Sequence, residues 1–379
     1  MLPDIKTAQH ILEEAWQCNP GPWAEHSRVA ARCAKAIAEQ ISACGSGPAF
    51  CGSGPASSSP ASCGSMDPEK AYILGLLHDI GRKFGARHLG HVYDGWRYMT
   101  ELGYDEAARI CLTHSFNNKT LKDYIGNFDI SKEEQAELQT ALDGLEYDDY
   151  DRLIQLCDSL ADAAEGVVDI EMRMEDVKRR YGRYPEEKWN QNIALKEAVE
   201  RCTGRSIYEI AGSGKPALRI RTATMEDLDD ITYLESICFP TAEAAGKESF
   251  QKRLEKFSEH FWLLFEDDEL VGMVNGMVTD EKTIRDEMFE DASLHQEDGA
   301  WQSIFGLDVL PSRQRQGYAD RLMEGCIAEA KRQGKKGCIL TCKGRLLHYY
   351  AKFGYQNFGV SASVHGGAVW YDMILSFEQ

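Results

Sequence analysis

The sequence predicts two domains, an all-helical one followed by one of the α+β class. At 379 residues the chain is long for a single hydrophobic core. Apolar residues recur at helical spacing before residue 210, whereas strand and helix patterns alternate after residue 217. A polar linker, 211–217 (AGSGKPA), separates the two patterns. We therefore assign residues 1–210 to the first domain and residues 218–379 to the second.

In the first domain, apolar residues recur at steps of three and four over several segments, which predicts helices. These segments are 6–18, 24–43, 67–83, 105–115 and 149–164. Residues 44–65 break the pattern, because the hexapeptide CGSGPA occurs at 44–49 and again at 51–56. Such a segment buries too little apolar surface to offset its ordering entropy, so we predict a flexible Gly/Ser/Cys/Pro loop. Its cysteines lack the paired spacing of a zinc site.

Charge and composition exclude several classes of function. A net charge of −19 and a pI near 5.0 argue against a nucleic-acid partner, which needs clustered Lys and Arg. No apolar run is long enough to cross a bilayer, and the first residues do not form a basic leader. We therefore expect a cytoplasmic protein with no membrane partner, whose cysteines are mostly buried thiols. No pattern indicates an oligomeric state.

Several polar side chains of the first domain fall on the apolar faces of separate predicted helices. They are His26, His78, His114 and Asp158, and Asp79 adjoins His78. A single such histidine is usually a core residue with a carbonyl partner. Several together are costly to bury, by a few kcal/mol each, unless they meet one another. Imidazole and carboxylate groups that converge between helices suit a transition metal.

These residues, in the contexts HSRVA and GLLHDIGR, resemble the HD-domain metal-dependent phosphohydrolases over roughly residues 20–165. Without the Gly/Ser/Cys segment, the spacing between the first histidine and the His-Asp doublet is typical of that family. The resemblance implies a helical bundle that binds a divalent transition metal. Its ligands would be His26, His78, Asp79 and Asp158.

His91, in the run HVYDG, and His114 resemble the two extra ligands of the bimetallic HD subgroup that cleaves diadenosine polyphosphates. His88 competes with His91 for that role. The resemblance therefore implies one or two ions, which would activate water and clamp a phosphate. It also implies a nucleotide or phosphate ester as substrate, with Arg82 and Lys83 as candidate phosphate contacts.

In the second domain, the loop QRQGYA at 314–319 lies between an apolar strand, 304–310, and a helix, 317–332. A turn of this kind points backbone N–H groups and the positive end of a helix dipole at one spot, which favours a pyrophosphate. The next strand is predicted at 337–342 and the next helix at 346–353. This order is typical of an acyl-CoA site.

The rest of the second domain reads as strand 218–224, helices 225–238 and 247–257, and a hairpin that turns at 267–269. Together with the Q-x-x-G-x-A loop, this order resembles the GNAT N-acetyltransferases across the whole segment. The resemblance implies an α+β fold with a mixed central sheet. Within that family, the run LTCKGRLLHYYAKFGY is similar to the region of serotonin (arylalkylamine) N-acetyltransferase that carries its general acid.

The resemblance implies roles for individual residues toward acetyl-CoA. Leu307 and Val309 would bind the pantetheine arm through their backbones, because the strand splays from its neighbour there. The pyrophosphate would lie on Arg315, Gln316, Gly317, Tyr318, Ala319 and Asp320. Tyr350 would protonate the departing thiolate of CoA, with a small primary amine as the acetyl acceptor.

One departure from the arylalkylamine enzymes concerns the base. Their two histidines on the strand before the loop are replaced here by Ser303 and Phe305. The route by which the amine loses its proton is therefore open, and His295 and Glu235 are candidates for a base that acts through water.

The sequence thus predicts a bifunctional enzyme, an acetyltransferase fused to an HD phosphohydrolase. Two alternatives remain open at this point. In one, the HD domain is a nucleotide-binding regulator, and in the other, the GNAT half is a non-catalytic acetyl-CoA sensor.

Overall fold

The computed structural model describes residues 1–44, 65–212 and 216–377. Almost all of the predicted flexible loop at 44–65 lies outside these ranges. The chain divides into two compact units, Met1–Lys215 and Pro216–Gln379.

The described part of the first unit is built from α-helices. They are α1 (Ile5–Cys18), α2 (Trp23–Cys44), α3 (Pro68–Leu77), α4 (Leu89–Glu101), α5 (Asp105–Thr113), α6 (Lys132–Asp143), α7 (Asp149–Leu160), α8 (Ile170–Tyr181), α9 (Glu186–Thr203) and α10 (Ile207–Gly212). Two short strands, β1 (Ala161–Asp162) and β2 (Gly166–Val167), pair antiparallel after α7. The first residues of the predicted linker, Ala211 and Gly212, belong to α10.

Helices α2 and α3 approach each other closely because a glycine lies at their contact. A Cβ atom on Gly75 would lie 2.7 Å from the Cα atom of Ala31, so a larger residue would separate the two helices. His26 lies in α2 and His78 follows directly after α3. The close contact therefore brings these two histidines together, with ring centroids 5.3 Å apart.

The predicted helix at 67–83 is wrong in its extent. Helix α3 ends at Leu77, and a 3₁₀ helix, Ile80–Phe84, follows the His-Asp doublet. The 3₁₀ turn packs tightly on α4, where a Cβ atom on Gly81 would lie 1.9 Å from the carbonyl oxygen of His91. This packing ends the α-helix before the His-Asp doublet, and it directs Asp79 toward α4 rather than along a continuing helix.

The second unit alternates strands and helices around two sheets. Its elements are β3 (Leu218–Thr222), α11 (Leu228–Cys238), α12 (Lys247–Phe257), β4 (Phe261–Glu266), β5 (Glu269–Asn275), β6 (Val278–Thr279), α13 (Glu287–Glu290), β7 (Trp301–Ile304), β8 (Gly306–Val309), α14 (Tyr318–Arg332), β9 (Gly337–Lys343), α15 (Leu347–Ala351), β10 (Gln356–Val360) and β11 (Trp370–Ser376). One sheet has the order β3-β4-β5-β8 and the other β10-β11-β9-β7-β6. Since β7 and β9 run parallel and the other pairs antiparallel, the fold is α+β with a mixed sheet, as predicted.

The strand predicted at 304–310 is divided between the two sheets at Phe305. Strand β7 pairs with β9 as far as Ile304 and Leu340, while β8 pairs with β5. The N–H group of Phe305 donates to the carbonyl oxygen of Asn275, which turns the chain from one sheet to the other. Strands β8 and β9 therefore diverge after this residue, and the edge of β8 that faces β9 is left without a partner strand.

Within the described ranges, none of the helices combines the length and apolar character that a membrane crossing needs.

Candidate functional sites

A first group of possible metal ligands consists of His26, His78 and Asp158, from three different helical segments. The Oδ1 atom of Asp158 lies 2.9 Å from Nε2 of His26 and 3.6 Å from Nε2 of His78. His78 is buried, and its Nδ1–H group donates to the carbonyl oxygen of Gly75 at 2.7 Å. In the neutral ring that bond places the lone pair on Nε2, which lies 3.6 Å from the carboxylate of Asp158 and has no closer hydrogen-bond partner among the described residues. An unpartnered imidazole nitrogen beside a carboxylate fits a metal ligand.

A second group consists of Asp79, His91 and His114, all of them buried. The Oδ1 atom of Asp79 lies 3.1 Å from Nε2 of His91 and 3.6 Å from Nε2 of His114. The Nδ1–H groups donate to backbone carbonyls, that of His91 to His88 and that of His114 to Cys111. Both Nε2 atoms therefore carry a lone pair, and they face each other at 3.4 Å.

The two groups lie side by side, because the ring centroids of His78 and His114 are 5.2 Å apart. The structure thus brings all six predicted metal residues together, but it divides them differently from the expectation. Asp79 lies with His91 and His114, whereas the resemblance grouped it with the first set of ligands. His88 is in neither group, since its ring packs near Tyr181 and only its carbonyl group orients His91.

The electrostatics favour ionised carboxylates and neutral imidazoles in the second group. Burial alone would raise the pKa of Asp79, but Arg82, His91 and His78 outweigh it and hold that pKa well below its ordinary value. Burial, followed by the charge of His78, lowers the pKa of His114 to about 3. Nitrogen and carboxylate-oxygen donors of this kind suit first-row transition metals, so the residues present fit one or two such ions.

Both groups open into a cavity of about 610 Å³. Its wall carries cationic and aromatic side chains, namely Arg82, Arg173, Arg180, Lys188, Trp23, Tyr124, Tyr181 and Tyr184. The sequence analysis missed the lining side chains that lie in α8 and α9. A basic and tyrosine-rich run such as KRRYGRY does not indicate which cavity or surface it will line. Of the two predicted phosphate contacts, Arg82 lines the cavity and donates to Oδ2 of Asp79 at 2.6 Å. Lys83 does not line it and binds the hydroxyl group of Tyr98.

In the second unit, the predicted pyrophosphate loop leads into the N-terminus of α14. Gly317 has φ 84°, and Arg315 also has a positive φ of 64°. This conformation exposes residues 314–317 immediately before α14. The N–H groups of its first turn have no partners within the helix, so they suit an anion.

Two predicted loop residues use their side chains for other contacts. The hydroxyl group of Tyr318 is turned inward and donates to Oε2 of Glu266, whose Oε1 accepts from Arg313. Asp320 accepts hydrogen bonds from Tyr349 and Lys352. Only the backbone groups of Tyr318 and Asp320 are therefore candidates for contact with a phosphate, while Arg315, Gln316 and Ala319 face no such restriction.

The remaining predicted acetyl-CoA residues lie along the divergence of β8 from β9. Leu307 and Val309 belong to β8, whose edge toward β9 has no partner strand, and this suits a pantetheine arm. The carbonyl oxygen of Val309 accepts from the side chains of Cys238 and Gln314. Tyr350 lies in α15 and is buried. Burial, and then the charges of Cys342 and Asp308, raise the pKa of Tyr350, so its phenol is protonated at neutral pH. A protonated phenol is what a general acid requires.

The two candidate bases lie in different places. Glu235 lines a second cavity, of about 160 Å³, and its Oε1 atom accepts from the N–H group of Ala245 at 2.9 Å. His295 does not line this cavity. Its Nδ1 atom accepts from the N–H group of Val278, so its Nε2–H group donates to Glu297. This tautomer leaves no lone pair on Nε2 of His295, which also argues against a metal between it, Glu297 and His260.

Ser303 and Phe305, on and just after β7, offer no titratable group to an acceptor amine. The hydroxyl group of Ser303 is buried and donates to the carbonyl oxygen of Met277. Phe305 packs against Phe289. A residue that the sequence analysis missed lies nearby, since Asp308 is wholly buried beside Glu235. A carboxylate inside the apolar run FGLDVL was the signal that could have identified it.

Comparison with protein families identifies a known domain within each unit. Residues 23–163 match the model of the HD domain, and residues 226–355 match the model described as "Acetyltransferase (GNAT) family". No curated protein matches the chain. The chain therefore contains an HD domain followed by a GNAT acetyltransferase domain.

Solved structures resemble the chain at low identity. The loading GNATL domain of CurA from Lyngbya majuscula is 17% identical, covers 42% of this chain and 98% of its own, and has a TM-score of 0.38. Naa50 of Arabidopsis thaliana, in complex with the bisubstrate analogue CoA-Ac-MVNAL, is 17% identical, with coverages of 42% and 99% and a TM-score of 0.34. A GNAT acetyltransferase from Brucella melitensis in complex with acetyl-CoA is 16% identical, with coverages of 43% and 90% and a TM-score of 0.30.

Proposed function

We propose that this chain is a bifunctional enzyme. Its HD domain would hydrolyse a nucleotide or phosphate ester with one or two divalent transition-metal ions. Its GNAT domain would transfer the acetyl group of acetyl-CoA to a small primary amine.

The observation that carries the hydrolase proposal is that the two His/Asp groups open into one cavity whose wall also carries cationic side chains. His26, His78 and Asp158 would hold one ion, and Asp79, His91 and His114 the other. Ions bound there supply Lewis acidity and an activated water. The backbone carbonyls that accept from the imidazole Nδ1–H groups fix the ligand tautomers.

The wall of the same cavity supports a phosphorylated and aromatic substrate. Arg82 lines the cavity and donates to Asp79. Lys188 reaches the cavity from α9 and donates to the carbonyl oxygen of Ser115 at 2.7 Å. Cationic groups suit phosphate oxygens, and the tyrosines offer flat surfaces on which a base can stack. The test is phosphate release from a panel of nucleotides and phosphate esters by the metal-loaded protein. Nucleotide binding without release, in protein of verified metal content, would instead support the regulatory alternative.

The acetyltransferase proposal depends on the diverging strand β8 and on the loop that follows it. The loop N–H groups would hold the pyrophosphate and β8 the pantetheine arm, which directs the thioester toward α15. Tyr350 would then protonate the thiolate. The test is CoA release from acetyl-CoA with aryl, alkyl and polyamine acceptors. Acetyl-CoA binding without turnover by any acceptor would favour the sensor alternative.

A further inference from the structure

A small polar recess lies beside Gly306, at the start of β8. A Cβ atom on this residue would lie 3.2 Å from Oδ2 of Asp308, 3.2 Å from Nδ2 of Asn275 and 3.6 Å from Oε2 of Glu235. Gly306, Asn275 and Glu235 also line the cavity of about 160 Å³. The absence of a side chain on Gly306 therefore leaves space that joins these buried polar atoms to the cavity.

The oxygens around this recess are not satisfied. Oδ1 and Oδ2 of Asp308, Oε2 of Glu235 and Oδ1 of Asn275 are buried, and no N–H or O–H group of the described residues donates to them. Asp308 and Glu235 interact with each other, and a hydrogen bond between their carboxyl groups requires one of the two acids to be protonated. A buried acceptor without a donor costs about 1–3 kcal/mol, more if it is charged, so this cluster needs a complement.

The charge of the cluster is also only partly balanced. Arg253 and then His365 act on Glu235 as positive charges, but the Nη2–H group of Arg253 donates to the carbonyl oxygen of Phe289. Burial lowers the pKa of Arg253 to about 10. With one proton on the pair, one buried carboxylate remains, and Arg253 donates its hydrogen bond to Phe289 rather than to that carboxylate, so a donor that carries a positive charge suits the recess.

We propose that this recess binds the ammonium group of the acceptor amine, and that Glu235 and Asp308 receive its proton. A primary ammonium carries three N–H donors on one atom, which matches a recess with several unused acceptors. The inference deepens the proposed acetyltransferase function and depends on it for the fate of the bound amine.

The rest of the cavity indicates the kind of amine. Its wall carries aromatic rings, those of Phe239, Phe289, Phe305 and Trp370. Such rings attract a cation and cover an apolar substituent. We therefore expect a small primary amine with a short apolar or aromatic group, and we expect a carboxylate beside the amine to be rejected by the acidic recess.

Acetyl transfer removes two protons from the amine nitrogen. The ammonium gives one proton to the carboxyl pair, and the freed lone pair forms a C–N bond with the thioester carbonyl carbon. The C–S bond then breaks, the thiolate takes a proton from Tyr350, and the second proton of the nitrogen returns the phenol to its protonated form through solvent. Amine in its protonated form and acetyl-CoA thus give amide, CoA and one proton. The pair takes this proton on the carboxylate that is still ionised, and burial raises the pKa of both acids, which makes that carboxylate a stronger base than an exposed one.

The test compares Asp308→Asn and Glu235→Gln with the full-length wild type. Binding of a primary amine is measured by calorimetry in the presence of CoA, which cannot donate an acetyl group, and turnover is measured with acetyl-CoA. We expect amine affinity to fall roughly tenfold or more and kcat/KM to fall about 10²–10⁴-fold, with acetyl-CoA affinity unchanged. Asp268→Asn, an exposed position in the turn between β4 and β5, is the matched control.

Gly306→Ala tests the recess without removing a charge. Its methyl group would occupy the space between the carboxyl groups and Asn275, so amine binding should be lost while both acids remain. If all three variants bind and acetylate the amine as the wild type does, the recess holds water only and the inference is wrong, although the acetyltransferase stands. If the wild type binds amine through this recess but acetylates none, the site stands and the proposed catalysis fails.

Discussion

Tyr349 in α15 donates a hydrogen bond of 3.0 Å to Asp320 in the first turn of α14, and Lys352 binds the same carboxylate. Helix α14 begins at the candidate pyrophosphate loop, and α15 carries Tyr350 next to Tyr349. The contact therefore ties the helix that follows the candidate pyrophosphate loop to the helix that carries the candidate acid.

Substitution of Tyr350→Phe should lower kcat about 10²–10⁴-fold, because the thiolate would lose its proton donor. Acetyl-CoA affinity should change little, since the phenol acts on the departing sulfur. Steady-state kinetics with a good acceptor amine measure both quantities. Tyr349→Phe is the matched control, and it should keep most of kcat while removing only the bond to Asp320. A Tyr350→Phe enzyme with an unchanged kcat would show that the acid is another group.

Gly317→Ala should weaken acetyl-CoA binding. An alanine at φ 84° costs roughly 1–2 kcal/mol, and the loop can relieve this strain only by turning its N–H groups away. Gly334 follows the other end of α14 with φ 73°, and a Cβ atom on either glycine meets no atom within 4 Å. Gly334→Ala should therefore cost similar stability without affecting the cofactor. Denaturant unfolding and acetyl-CoA titration separate the effects, and equal loss of binding in both variants would contradict an anion site at Gly317.

The two ligand groups should lose metal independently. His91→Gln should remove the ion held with Asp79 and His114, and His78→Gln the ion held with His26 and Asp158. Metal analysis after dialysis gives the number of ions that each variant retains.

His88→Gln is the control for this experiment, because only the backbone of His88 contacts His91 and that contact survives the substitution. It should keep the wild-type metal content and phosphate release. Loss of metal from His88→Gln but not from His91→Gln would exchange the assigned roles of the two histidines.

Lys188→Met should weaken the binding of a phosphorylated ligand by roughly tenfold or more, since hydrogen bonds to charged groups contribute about 1.5–3 kcal/mol. Methionine keeps the length of the side chain but removes its charge. Calorimetry with inorganic pyrophosphate or a nucleoside triphosphate measures the change. Lys178→Met, on the exposed surface of α8, should bind these ligands as the wild type does. Equal affinities for Lys188→Met and the wild type would show that the phosphates lie elsewhere in the cavity.

Asp308→Asn should stabilise the protein, increasingly so as the pH rises. Because burial raises the pKa of Asp308 above its ordinary value of 3.8, the folded state favours the protonated acid. The contribution of Asp308 to the free energy of unfolding is present at low pH and is lost as the pH rises through the raised pKa. Denaturant unfolding of both proteins at pH 5.5 and pH 8.5 tests this. A stability difference that shrinks toward pH 8.5 would contradict the raised pKa.

The sequence by itself determined the helices of the first unit that carry His26 and Asp158, the loop before α14 and the boundaries of α12, since each leaves a local signal in periodicity or turn residues. Tertiary structure alone decided that Asp79 lies with His91, that α8 and α9 line the cavity of the candidate metal ligands, and that Asp308 meets Glu235. The physical reason is that periodicity reports which face of an element is apolar, but not which other element that face will meet. The division of one predicted strand at Phe305 has the same cause, because a strand's partners are chosen by packing between segments far apart in the chain.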